Sequence, residues 1–149
     1  MSLSRLLDDQ RGRLAALIAL LEEELEALTA GKVDGGRLEG IAAEKQELLA
    51  ELERMEQLRR QVQQRLGYRD GHEGARDAAR DAGCLDEWEA ALDTTRRADR
   101  LNDLAGQLLS MRLAHNQHML DFLHEVSEKT LYDPCGRTGR QPGRLNASA

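Results

Sequence analysis

LSRLLDDQRGRLAALIALLEEELEAL, residues 3–28, places Leu3, Leu7, Gln10, Leu14, Leu17, Leu21, Glu24 and Leu28 at alternating steps of four and three. That period is the heptad seam of packed helices, interrupted twice by polar residues. Leu6, Ile18 and Leu25 widen the seam to the broader stripe of a helix that faces a bundle. Ser4 can cap its start. TAGKVDGG, residues 29–36, then stops the helix with three glycines and turns the chain.

The pattern returns in Leu38, Ile41, Lys45, Leu48, Leu52, Met55, Arg59, Val62 and Leu66. Two helices of about 26 and 30 residues would run roughly 40 and 45 Å at 1.5 Å per residue. Nearly equal length and a short connection predict an antiparallel hairpin. Lys45 and Arg59 fall on the seam, where their stems can lie along it and their charges reach water.

Gly67 to Gly83 breaks the period with four glycines and many charges, and ARDAARDA offers only alanines to a core. This stretch reads as a mobile connector. Beyond it, Leu85, Trp88 and Leu92 make one stripe, and Leu101, Leu104, Leu108, Met111, His115, Met119, Phe122 and Val126 make another. At about 100° per residue the two stripes point to nearly opposite sides of one helix, which predicts a break near Asp93–Thr95. Leu101, Leu108 and Phe122 are assigned to the internal seam.

The expected fold is therefore all-α: an elongated antiparallel helical hairpin plus a long C-terminal helix and a short helix, a three- to four-helix bundle. Residues 1–130 are expected to form a single domain, with helices near 4–29, 37–66, 85–93 and 96–129. The connector spans 67–83, and 131–149, with both prolines, reads as a loop and a disordered tail.

Composition narrows the function. The chain has 149 residues with 3% aromatic and 32% charged residues, poor material for a thick enzyme core and good material for thin helical seams. A net charge of −6, with Arg and Glu interleaved, lacks the basic stripe of a nucleic-acid footprint. Pairs such as Glu56 with Arg60 are expected to support solvated helix faces. No apolar run reaches membrane-span length, and MSLSRLLDDQ lacks the layout of a secretory signal. Cys84 and Cys135 stand alone, which points to a reduced, cytoplasmic protein.

Catalytic and cofactor motifs are missing: neither cysteine has a neighbouring histidine, and GKVDGG has the wrong order for a phosphate loop. His115 and His118 share a helix face but supply only two of the three or four ligands that zinc requires. Asp121 can pair with His118 instead. The chain is read as a non-enzyme without metal or cofactor.

What stands out is the breadth of the last apolar arc. Leu109, Leu113 and Leu120 lie beside the main stripe, rotated by about 100° from its centre. They either touch a second helix of the same bundle or wait for the amphipathic helix of a partner.

One block, EKQELLAELERMEQLRRQVQQRLGY (residues 44–68), resembles the FlgN family of flagellar type III export chaperones. The matching residues are Lys45, Leu48, Leu49, Arg59, Leu66 and Gly67, then Trp88 ahead of Leu101 and Asn102, and at the end Leu131, Tyr132, Gly136 and Arg137. The family's Asn-Gly before an aliphatic pair is Ala105-Gly106 here. The resemblance implies a cytoplasmic chaperone that engages the C-terminal amphipathic region of hook-associated proteins. It would prevent their premature assembly and assist their delivery to the export apparatus. It implies that binding falls on the C-terminal part, where the excess leucines lie, so the expected client contacts are Leu109, Leu113, Asn116 and Leu120; Leu131 and Tyr132 either form a secondary patch or fold back and cap the end of the bundle. The rival expectations are a structural coiled-coil protein that homodimerises through its heptad seams, and a metal-binding bundle using His115 and His118.

Overall fold

The computed structural model describes residues 2–131. Four helices follow in order: α1 (Leu3–Thr29), α2 (Gly35–Arg65), α3 (His72–Asp81) and α4 (Leu85–Leu131). The protein is all-α. The chain divides into two units, one of residues 1–108 and one that begins at Leu109. The tail beyond Leu131, with Tyr132, Cys135, Gly136 and Arg137, lies outside the described residues.

In the first unit α1 and α2 form the predicted antiparallel hairpin. Gln10 faces Glu56, Arg13 faces Glu51 and Glu24 faces Lys45, so one helix descends as the other rises. The heptad residues of α1 are the core: Leu3, Leu7, Leu14, Leu17, Leu21 and Leu28 are buried. They are packed within the chain. α1 starts one turn edge earlier than Ser4 suggests. Ser2 is the cap, its Oγ accepting the Arg5 N–H at 3.3 Å. Asp34 caps α2 in the same way, through Arg37 at 3.1 Å.

The expected connector is a helix. Ala75, Ala78 and Ala79 of α3 are buried in one cluster with Leu3, Leu7, Cys84 and Trp88. Alanine contributes little area but brings helix backbones close, so its burial is invisible to a search for leucine periods. Gly83, at φ 74°, lets the chain leave α3 with Cys84 N–H returning to the Ala79 carbonyl at 2.8 Å.

No break occurs near Asp93–Thr95; α4 is continuous over 47 residues. Thr94 and Thr95 turn their hydroxyls back onto the carbonyls of Ala90 and Ala91, at 2.9 and 2.8 Å, which accommodates both within the helix. The first predicted stripe of α4 is packed, with Trp88 buried and Leu85 and Leu92 partly buried against the same cluster, whereas most of the second stripe is exposed. The buried face of α4 carries Trp88, Ala91, Ala98 and Ala105, with the three alanines seven residues apart, and Cys84 is buried just ahead of the helix. Ala98 sits in a second cluster with Leu17, Ile18 and Leu21, and Leu101 packs partly buried against it.

Candidate partner-binding face

Two polar ties set the register of α2 against α4. At one, Lys45 Nζ donates to both carboxylate oxygens of Glu24 (3.1 and 3.2 Å) and to Asn102 Oδ1 (3.0 Å), joining α1, α2 and α4. At the other, the Arg59 guanidinium lies 4.9 Å from the Trp88 ring centre. Its Nε and Nη2 donate to Glu56 at 2.9 and 2.6 Å, and Nη1 to Gln63 Oε1 at 2.7 Å. Fourteen residues separate Lys45 from Arg59 on α2, and fourteen separate Trp88 from Asn102 on α4. At equal helical rise the two ties stay in step, about 21 Å apart.

Neither seam cation holds its charge in water as expected. The Arg59 side chain is 7% exposed, and Lys45 and Glu24 are mostly buried together. A buried charge persists where its donors are matched, and here they are. Burial alone would raise the Glu56 carboxyl. The bonds and charge of Arg59, a bond from Gln10 and the charge of Arg60, 3.4 Å away, outweigh it and hold that carboxyl below its ordinary range. Lys45, Arg59, Trp88 and Asn102 thus serve the scaffold. The Trp88 indole N–H is buried without an acceptor among the described residues, so the ring acts through packing and through its faces.

Cys84 is buried beside Trp88, and burial, followed by the charges of Glu87 and Asp8, pushes its thiol up. In a Cys135→Ser protein, Cys84 should react with a disulfide reagent at least tenfold more slowly than free cysteine until denaturant is added. Rapid labelling of the folded protein would contradict this burial.

The second unit presents a different surface. From Leu109 onward, α4 exposes Leu109, Met111, Leu113, Met119, Leu120, Phe122, Leu123 and Val126, with Leu113 at 60% and Phe122 at 58%. Asn116 is exposed among them. Phe122, Met111, His115, Met119 and Val126 therefore do not belong to an internal seam, and Leu104 is also exposed. Leu109, Leu113 and Leu120 are likewise exposed. Leu109, Leu113, Asn116, Leu120 and Leu123 follow one another at steps of four and three, a continuous heptad line on one face. The side chain of Leu131, like Tyr132, lies outside the described residues.

Charged groups here pair along the helix itself. Gln117 Nε2 donates to Asp121 Oδ1 at 2.9 Å, where His118 was the expected partner, and Lys129 lies 3.8 Å from Glu125. His115 and His118 are exposed, and among the described residues no three metal-ligating side chains converge. No helix among the described residues is long and apolar enough to cross a membrane. An apolar arc of this size on a polar-flanked helix is chemically a surface for another apolar surface.

A packed helical scaffold that carries an uncovered apolar helix face defines a protein-binding helical protein. Comparison with known proteins gives the class its family. The family described as FlgN protein matches residues 1–140, and the chain belongs to it. It is similar to the flagella synthesis protein FlgN of Salmonella typhimurium, at 32% identity over 91% of this chain and 89% of that protein. The flagella synthesis proteins FlgN of Escherichia coli and Proteus mirabilis are each 28% identical, over 91% and 93% of this chain and 89% and 90% of theirs. No solved structure matches the chain. The protein is a flagellar chaperone and not an enzyme, and its partners are flagellar proteins.

Proposed function

We propose that this chaperone binds the C-terminal amphipathic region of hook-associated proteins in the cytoplasm, keeps it from assembling early and hands it to the type III export apparatus. The client contacts are Leu109, Leu113, Asn116 and Leu120, with Leu131 and Tyr132 as a secondary patch. The observation that carries this reading is the exposed heptad line of α4, which has an apolar face and no internal use for it. A client segment that is disordered alone can fold as a helix against it, gaining about 25 cal/mol per Å² of apolar burial before ordering costs.

Titration calorimetry tests it, with a peptide covering the C-terminal region of the same organism's hook-associated protein. Wild type should bind, and Leu113→Asp should bind at least tenfold more weakly at an unchanged melting temperature, because Leu113 is exposed. Equal binding by the two proteins would move the site off this face. Absence of binding by folded wild type would remove the proposed client.

A further inference from the structure

We propose that the first unit carries a second docking site, a groove between α1, α2 and the early part of α4 that takes a basic amphipathic helix of a partner protein. It uses none of the residues assigned to the client and does not rest on that assignment.

The groove has a volume of about 470 Å³, room for the apolar side chains along one face of a docked helix rather than for the helix itself. Its floor is apolar, with Leu17, Leu52 and Leu92, and Trp88 lines one end. It exists because α4 contributes small residues there: where a leucine face would have filled the space, Ala91, Thr95 and Ala98 leave it open. Along α4 the lining extends from Trp88 to Asn102, about 21 Å of helix axis, which matches a partner helix of about fourteen residues.

The lip determines the sign of the occupant. Leu49 stands half-exposed on it, beside the exposed carboxylates of Glu53 and Asp99, one on α2 and one on α4. Neither carboxylate has an ion-pair partner among the described residues. Lys45, the one cation lining the groove among those residues, is already held by Glu24 and Asn102. An occupant with leucines on one face and lysine or arginine on its flanks would bury the former and pair the latter. An acidic helix of the same shape would meet two like charges.

The sequence has one tryptophan, and it lines the groove, so its emission reports occupancy directly. The probe is a tryptophan-free synthetic helix of leucines and lysines, compared with a version carrying glutamate for lysine. Both are titrated into the full chain bearing Leu113→Asp, which disables the distal apolar face. The lysine peptide should shift Trp88 emission and bind at least tenfold more tightly than the glutamate peptide. Glu53→Lys with Asp99→Lys should reverse that order, with unchanged circular dichroism because both residues are exposed. Thr95→Leu, which fills the groove from an exposed position, should weaken the lysine peptide at least tenfold. Unchanged Trp88 emission, or equal affinity for the two peptides, would overturn the proposal.

Discussion

Gly74→Ala is expected to destabilise the protein by about 3 kcal/mol, a fall of about 10 °C in melting temperature. Helix propensity alone predicts the reverse, since alanine inside a helix is better than glycine by about 1 kcal/mol. The difference is steric. A Cβ on Gly74 would overlap the backbone carbonyl of Arg69 and approach Gln63 Nε2 to 2.9 Å. That carbonyl has little room to retreat, because it accepts from Gln63 Nε2, which also donates to the Gly71 carbonyl at 3.3 Å. Gln63 is in turn gripped by Arg59. Substitution must therefore shift the α2–α3 turn and pull Ala75 and Ala78 away from Leu3 and Leu7. Thermal melts followed by circular dichroism would check it, and a Gly74→Ala protein that melts at or above wild type would refute the close approach.

Arg59→Met is the second large effect, again about 3 kcal/mol at neutral pH. The substitution keeps an apolar stem but removes the guanidinium. It leaves Gln63 Oε1 buried without its donor, strips two bonds from Glu56 and takes the cation off Trp88. The pH dependence identifies the Glu56 share of the loss. The folded protein holds the Glu56 carboxyl below its unfolded value of about 4.3, so its contribution is complete above that pH and disappears as pH falls through the folded value. In the variant, burial is left with less to oppose it. The gap in stability between wild type and Arg59→Met should therefore narrow in acid, below about pH 4. Urea melts at pH 7 and pH 3.5 would measure this, and a gap that stays constant would mean that Glu56 takes no part.

The sequence and structure agree where one residue type carries the signal. The leucines of α1 announced both the helix and its buried face, and all but the polar Glu24 of its heptad positions are buried. Lys45 and Arg59 stand on the seam in the sequence, but contacts that distant parts of the chain supply help to hold them: Glu24 and Asn102 for Lys45, and Trp88, beside the neighbouring Glu56 and Gln63, for Arg59. Heptad position alone cannot say whether a cation reaches water or a matched acceptor. The alanine seam of α4 and the alanines of α3 leave little mark on an apolar pattern, because a methyl group weighs little there, although it allows the closest approach of two helices. The two phases of apolar residues in α4 were real, but a helix can change its facing surface along its length without breaking. Thr94 and Thr95 simply bond back to the preceding turn.

The sequence by itself determined that this protein is helical, that its first two helices pair, and that its last helix carries an apolar arc wider than one neighbour needs. Those properties are local: they follow from spacing along the chain and from the rotation between successive residues. Only the tertiary structure decided which apolar surface is covered. Burial is a relation between residues far apart in sequence, and Leu17 and Leu113 are the same residue in similar patterns until their surroundings are known. One lies in the core of the first unit, and the other is left 60% exposed on α4.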